Sequence, residues 1–171
     1  MKLQLRFLLI ILISASPLAQ ECLSSAVETT PEDAFTETDT AETVLHTTTN
    51  LVWQRCAVGQ TWDGDTCTGE AEPMTWQQAL TYAQQFDSER LEGWRVPNVK
   101  ELSSLTERNC VRPAINSGIF PATPKDSFWT STPSYNDPLR AWTVAFFNAS
   151  HSIKEKQLSV YLRLVKTNLP D

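Results

Sequence analysis

The four cysteines constrain the fold of this 171-residue chain more than any other feature of its sequence. An even set of cysteines outside the cytoplasm is typical of a disulfide framework, and four cysteines allow three pairings. The short segment between Cys56 and Cys67 contains an Asp-Gly pair, which is a strong turn signal. We therefore favour a Cys56–Cys67 disulfide, which leaves Cys22 and Cys110 to join the start of the chain to its body.

The N-terminal residues predict that the chain leaves the cytoplasm. Lys2 and Arg6 precede an apolar run over residues 7–13, and small residues follow up to Ala19. This order is typical of a secretory signal peptide, and the run is shorter than the roughly 20 apolar residues of a transmembrane helix. We assign residues 1–19 to a cleaved signal peptide, with an uncleaved membrane anchor as the alternative. The mature chain is then secreted or periplasmic and has no membrane span.

The charge distribution argues against nucleic acid as a partner. The chain has 14 basic and 20 acidic residues and a formal net charge of −6, whereas proteins that bind nucleic-acid phosphates are normally basic. Residues 20–48 are acidic, rich in threonine and poor in large apolar groups, so we predict an extended leader that does not pack. The second half of the chain is slightly basic, which indicates either an anion site or a solvated surface.

Local patterns predict two helices followed by short strands. Thr75 with Gln78, and Asn98 with Glu101, each form a capping box in front of a helical apolar pattern. Strands are predicted over residues 50–54, 128–132, 141–147 and 159–166. Helices early and strands late favour an α+β fold over a parallel α/β sheet.

An ordered set of short motifs resembles the Lcl C-terminal domain family, which takes its name from the terminal domain of a bacterial collagen-like adhesin. The motifs are LVWQRC (51–56), TWQQAL (75–80), GWRVPNVKEL (93–102), PAIN (113–116), FWTS (128–131) and VYLRLV (160–165). On this basis we assign residues 49–167 to such a domain. The resemblance implies a disulfide-stapled C-type-lectin-like fold of the variant shared with formylglycine-generating enzymes. In such folds the first and last strands pair, which here would join residues 51–54 to residues 159–166.

Several residues of these motifs are expected to have structural roles. In the longest motif they are Trp94, Arg95, Pro97, Asn98 and Glu101. Because a guanidinium satisfies several acceptors at once, Arg95 is expected to brace a loop, with ligand contact as the alternative. Four tryptophans on apolar faces are expected in the core: Trp53, Trp76, Trp129 and Trp142.

Residues in predicted loops are the candidates for ligand binding, because binding residues usually lie on loops of a rigid scaffold. They are Trp62 in the disulfide loop, Tyr135, Asn136 and Arg140 between two predicted strands, and His151, Lys154 and Lys156 in the predicted link 148–156. An aromatic ring suits the C–H face of a sugar, and Arg or Lys suits a sulfate or carboxylate on it. A solvated loop surface is the alternative.

The sequence has no strong pattern for a metal or for catalysis. The cysteines and the two histidines, His46 and His151, lack the spacing of a zinc site, and the carboxylate pattern of a lectin calcium site is missing. There are no obvious paired carboxylates, no Gly-x-Ser-x-Gly motif and no cysteine after Cys110 of the kind that formylglycine-generating relatives use. We expect no cofactor, no metal and no enzymatic activity.

The resemblance to an adhesin domain implies an extracytoplasmic binding module that recognises a neutral or sulfated glycan through its loops. A structural or protein-interaction subunit of a surface or periplasmic assembly, with a surface protein as partner, is the main alternative. An uncharacterised enzyme is the third. The chain has no collagen repeat, so trimerisation through a collagen stalk does not carry over.

Overall fold

The computed structural model describes residues 20–169, and the predicted signal peptide, residues 1–19, lies outside them. The helices are α1 (Trp76–Ser88) and α2 (Val99–Ser103). The strands are β1 (Glu21–Cys22), β2 (Phe35–Glu37), β3 (Thr43–His46), β4 (Leu51–Gln54), β5 (Thr61–Trp62), β6 (Cys67–Thr68), β7 (Cys110–Val111), β8 (Ser127–Pro133), β9 (Arg140–Ala145), β10 (Ser150–Glu155) and β11 (Val165–Thr167). Neither helix in this range has the length and apolarity needed to cross a membrane.

The first sheet brings together distant parts of the chain. Its strands run in the order β11-β4-β3-β2, and every neighbouring pair is antiparallel. Leu51, Val52 and Trp53 of β4 are all buried, because both faces of this central strand are covered. Val165 lies opposite Trp53, so the expected pairing of residues 51–54 with the last strand is confirmed.

The second sheet, in the order β10-β9-β8, lies between two hydrophobic clusters. Phe128 and Val144 belong to the first cluster, to which α2 contributes Leu102. Trp129 and Ala141 belong to the second cluster, where they meet residues of α1. Successive residues of a strand point to opposite faces, so β8 and β9 supply both clusters at once. The α+β architecture with antiparallel sheets agrees with the prediction.

Both helices begin where their capping residues predict. The hydroxyl of Thr75 accepts a hydrogen bond from the backbone N–H of Gln78, and the Gln78 side chain accepts one from the Thr75 N–H. At α2, the Asn98 side chain accepts from the N–H of Glu101, and the Glu101 carboxylate accepts from the N–H of Asn98. These reciprocal bonds satisfy N–H groups that a helix start leaves without partners.

Both favoured disulfides are present. Cys56 is bonded to Cys67 across the loop that carries the β5-β6 ribbon. Cys22 is bonded to Cys110, and the two residues also face each other in the β1-β7 ribbon. One bond therefore staples a local loop, and the other joins the start of the described chain to the body of the domain.

The segment over residues 20–48 is not the unpacked leader that its composition predicts. Phe35 of β2 and Val44 of β3 are only 8% and 1% exposed and belong to the first cluster. Thr29 and Thr30 are held by the carboxylate of Glu107. The prediction was wrong because the apolar residues that pack stand singly among threonines and acids and form no periodic pattern.

Two predictions near the end of the chain are also wrong in extent. Of the predicted strand 159–166, only the last residues join β11; the chain before them crosses between sheets, with isolated bridges from Val160 to Met74 and from Tyr161 to Phe128. The predicted link 148–156 contains β10. This strand lies at a sheet edge and is mostly polar on both faces, so it lacks the alternation that indicates a strand.

The predicted tryptophan core is half right. Trp53 and Trp129 are completely buried. Trp76 and Trp142 are only partly buried, and the Trp76 indole N–H donates to the carbonyl of Thr130 at 2.8 Å. A tryptophan suits the rim of a core, because its ring packs against apolar residues while its indole N–H reaches a hydrogen-bond acceptor.

Candidate functional site

The motif over residues 93–102 folds into a braced loop that leads into α2. The guanidinium of Arg95 donates two hydrogen bonds to the Glu101 carboxylate, both 2.8 Å long. Burial alone raises the pKa of Glu101, but the hydrogen bonds from Arg95 and Asn98 outweigh it, so the pKa is lowered. Glu101 is thus an ionised group that caps α2 and orients Arg95. Trp94 is buried, and its indole N–H donates to Glu92.

Tyr135 and Asn136 lie in the β8–β9 loop, residues 134–139, where both are exposed. The neighbouring Arg140 does not present a free charge to solvent. It forms ion pairs with Asp137 at 3.2 Å and with Glu155 at 3.5 Å. The loop therefore neutralises the arginine that the anion-site prediction places there.

Lys156, which follows β10, contacts the β8–β9 loop, and its ammonium is also engaged within the protein. Its ammonium donates to the carbonyl of Pro138 at 2.8 Å and lies 4.0 Å from the centre of the Trp76 ring. A lysine over an aromatic face gains from the negative potential of the ring. Lys156 therefore anchors the β8–β9 loop, and its ammonium is already occupied by contacts within the protein.

The other predicted residues do not join the β8–β9 loop. Trp62 lies next to the Cys56–Cys67 bridge and packs under the guanidinium of Arg55, 4.9 Å from the ring centre. His151 and Lys154 both belong to β10, but they point to opposite faces because their positions differ by an odd number. The predicted ligand set is thus distributed over several surfaces.

His151 lines a groove of about 420 Å³ between α2 and β10, which we call the α2 groove. Its lining consists of Val99, Lys100, Ser103, Ser104, Arg108 and His151. None of these residues is acidic. Within residues 20–169, the ammonium of Lys100 and the guanidinium of Arg108 form no ion pair. The α2 groove therefore carries local positive charge and hydroxyl groups, although the net charge of the protein is −6.

Ser103 and His151 are in contact across the α2 groove, with 2.5 Å between Oγ and Nε2. The Ser103 hydroxyl also donates to the carbonyl of Val99. Since a hydroxyl has one proton, Ser103 donates either to Val99 or to His151, and the tautomer of His151 decides which. The contact joins α2 to β10 across the α2 groove.

Sequence reasoning found only His151 of the α2 groove. Lys100, Ser103 and Ser104 have the spacing i, i+3 and i+4, which places them on one face of a helix. That spacing was an available signal for these three residues, but Arg108 lies beyond the end of α2 and outside the helical pattern. The contribution of β10 could not be anticipated, because His151 reaches the helix across 48 positions of sequence.

Two other clefts, of about 600 and 610 Å³, have acidic or mixed linings. The first lies beside the N-terminal segment and is lined by Glu28, Glu32 and Asp33 among others. In the second, Lys166 is paired with Glu92. Among the residues that the structure describes, no group of three or more His, Cys, Asp or Glu side chains could hold a metal ion. The α2 groove is thus better suited to an anion than either cleft.

Comparison with known proteins identifies one family. The sequence model of the Lcl C-terminal domain matches residues 42–166. No curated protein and no solved structure matches the chain. The matched range includes α2, β10 and every residue that lines the α2 groove.

Proposed function

Because this chain belongs to the Lcl C-terminal domain family, we propose that it is a non-catalytic binding module that acts outside the cytoplasm and recognises an acidic glycan in the α2 groove. The two disulfides are compatible with that location, since disulfides persist in oxidising compartments. The observation that carries the proposal is the groove lining. Lys100 and Arg108 stand free of ion pairs within the described residues, and no acidic side chain lines the groove.

The groove has the chemistry that an acidic sugar polymer needs. An ammonium and a guanidinium are suitable partners for sulfate or carboxylate groups, and Arg108 is able to form a bidentate contact. Ser104 supplies a further hydroxyl at the same surface. The groove is open rather than enclosed, so a polymer could lie along it without burying its ends. Such exposed charge contacts are screened by salt, and binding should weaken as ionic strength rises.

The test is binding of the purified, oxidised protein to heparin and to desulfated heparin at low and high salt. We expect salt-sensitive binding to the sulfated form. The double variant Lys100→Ala/Arg108→Ala should bind about 10- to 100-fold more weakly, because two exposed charge contacts contribute roughly 1 kcal/mol each.

The matched control is Arg140→Ala/Lys154→Ala, which removes the same charge outside the α2 groove. This control should bind heparin as the wild-type protein does. A larger loss in the control than in the groove variant would place the site around Arg140 and Lys154 instead of in the α2 groove. Failure of the wild-type protein to bind either polymer would refute the glycan proposal.

The β8–β9 loop favours a protein partner as the second candidate function. Tyr135 and Leu139 are 99% and 71% exposed, on a loop whose charges are already paired. Rigid loops that present an aromatic side chain are typical of protein interfaces. Under this alternative, Tyr135→Ser would abolish recruitment to a surface protein while heparin binding stayed unchanged.

A further inference from the structure

The edge of the second sheet is open at β10. Within the described residues, β10 pairs only with β9, over six residues in continuous register from Ser150↔Ala145 to Glu155↔Arg140. There is no bulge in this pairing, although bulges are a common device that keeps natural edge strands from pairing further. The outer side of β10 therefore presents a regular row of backbone N–H and C=O groups.

The hydrogen-bond pattern shows which of these groups face outwards. The N–H of Lys156 donates to the carbonyl of Leu139, so this pair is of the hydrogen-bonded type. In antiparallel sheets the two types of pair alternate. Lys154, Ser152 and Ser150 therefore direct their backbone groups towards β9. The N–H and C=O groups of residues 151, 153 and 155 point away from β9, and the Glu155 carbonyl also accepts the N–H of Leu158.

The side chains of the outward-bonding residues form a self-complementary row. His151, Ile153 and Glu155 lie on the same face of β10 and are all exposed; Ile153 is 40% exposed. An apolar residue thus stands at the centre, with a basic residue two positions before it and an acidic residue two positions after it. Reversing the strand direction exchanges the basic and the acidic ends.

We propose that β10 is the docking surface for a second copy of this chain, which pairs antiparallel about a two-fold axis at Ile153. In this register Ile153 faces its own counterpart, and His151 of each copy faces Glu155 of the other. The three facing pairs are those whose N–H and C=O groups point outwards, so each pair exchanges two hydrogen bonds. The result is one continuous sheet across the two copies, with an isologous interface.

The same register argues for a second copy over an unrelated peptide. Two isoleucines meet at the centre of the interface, and at each end His151 of one copy meets the Glu155 carboxylate of the other beside its own Arg140, without any residue from another sequence. Cross-strand pairs of these types stabilise sheets. The assembly would also carry two α2 grooves, one beside each β10, so that a long polymer could bind both. The pairing itself does not depend on what the grooves bind.

The experiment is sedimentation velocity of the purified protein over a concentration series, with no glycan present. We expect a concentration-dependent shift from monomer to dimer. Ile153→Pro should be monomeric throughout, because proline removes an outward N–H while the ladder to β9 is left intact. Ile153→Thr is the matched control; it keeps the N–H and a β-branched side chain, and it should still dimerise. A monomeric wild-type protein at the highest soluble concentration would overturn the proposal.

A charge exchange gives a second test if the proline variant does not fold. His151→Glu places two carboxylates opposite each other at both ends of the interface, so dimerisation should be lost. The double variant His151→Glu/Glu155→Lys places a glutamate opposite a lysine at both ends, and dimerisation should return. Equal dimerisation of the wild-type, single and double variants would show that β10 is not the interface. Assembly is read without heparin, so the outcome is independent of the glycan proposal.

Discussion

Glu107 holds the N-terminal segment against the domain, and replacing it tests whether that segment is part of the folded unit. The side chain is buried, with the residue 4% exposed. Its carboxylate accepts hydrogen bonds from the backbone N–H of Thr29 at 2.9 Å and of Thr30 at 2.8 Å, and from the Thr30 hydroxyl at 2.9 Å. The perturbation is Glu107→Gln, which keeps the shape of the side chain and removes one acceptor oxygen.

The magnitude follows from the bonds that the amide is unable to form. In one orientation the NH2 group of the glutamine faces the N–H of Thr30, which loses its partner; in the other it faces the N–H of Thr29, which keeps only the longer bond of 3.1 Å to the remaining oxygen. An unsatisfied buried donor costs roughly 1–3 kcal/mol, and the remaining bonds become neutral rather than charge-assisted. We expect a loss of about 2–4 kcal/mol in the free energy that keeps residues 23–30 closed.

Hydrogen exchange of the native protein measures this loss directly. The amides of Thr29 and Thr30 should exchange roughly 30- to 700-fold faster in Glu107→Gln, since each 1.4 kcal/mol is tenfold. The amide of Val44 should change much less. Glu28→Gln is the matched control, because it removes an exposed carboxylate from the same segment. Unchanged exchange at Thr29 and Thr30 would refute the role of Glu107.

The pH dependence of the same exchange gives an independent check. Burial alone raises the pKa of Glu107, but the hydrogen bonds from Thr29 and Thr30 outweigh it, so the pKa in the folded protein is below its ordinary value of 4.5. The stabilisation is therefore fully present above pH 4.5 and is lost as the pH falls through the folded pKa. Acid should lower the protection factor of the Thr29 amide (the exchange rate of the unstructured amide at the same pH divided by the observed rate) in the wild-type protein and have little effect on it in Glu107→Gln.

Two further predictions concern the stability of the whole domain. Replacing Cys22 and Cys110 by serine should lower the free energy of unfolding by about 4.5 kcal/mol, and the same change at Cys56 and Cys67 should lower it by about 3 kcal/mol. The difference arises because the bond that closes the longer loop removes more entropy from the unfolded chain. Equal losses in urea denaturation would contradict this. Arg163 is completely buried, and burial lowers its pKa to about 9, so it is still charged at pH 7. Arg163→Lys should lower the free energy of unfolding by about 2–4 kcal/mol in the same assay, because a single ammonium does not reproduce the several hydrogen bonds that the guanidinium donates. A stability equal to that of the wild-type protein would show that those bonds are dispensable.

Local features of the fold were predictable from the sequence. Thr75 and Asn98 indicate helix starts because their capping-box partners lie only three residues away in sequence. Cys56 and Cys67 are separated by a short turn, so their disulfide was predictable as well. Arg163 shows the limit of such reasoning. Its alternation with leucines indicates an exposed face, yet its guanidinium donates to the carbonyl of Gln54, 109 positions earlier. Nothing near Arg163 in sequence indicates that this carbonyl needs a donor.

The candidate site was harder to predict than the fold. Of the ligand residues that the sequence favoured, Arg140 and Lys156 are engaged by neighbours, and only His151 lines the α2 groove. Loop composition indicated which residues were basic but not which of them had acids beside them. The pairing of Arg140 with Glu155 depends on the strand β10, which the sequence pattern did not reveal.

The position of β4 between β3 and β11 has a consequence for how the chain is synthesised. While the nascent chain is still emerging, β4 has a partner on one side only, and the other edge stays open until residues 165–167 leave the ribosome. That open edge belongs to a strand whose Leu51, Val52 and Trp53 are buried in the finished domain. A fragment truncated before β11 would thus display an apolar strand edge, which is a typical substrate for chaperones and a route to aggregation.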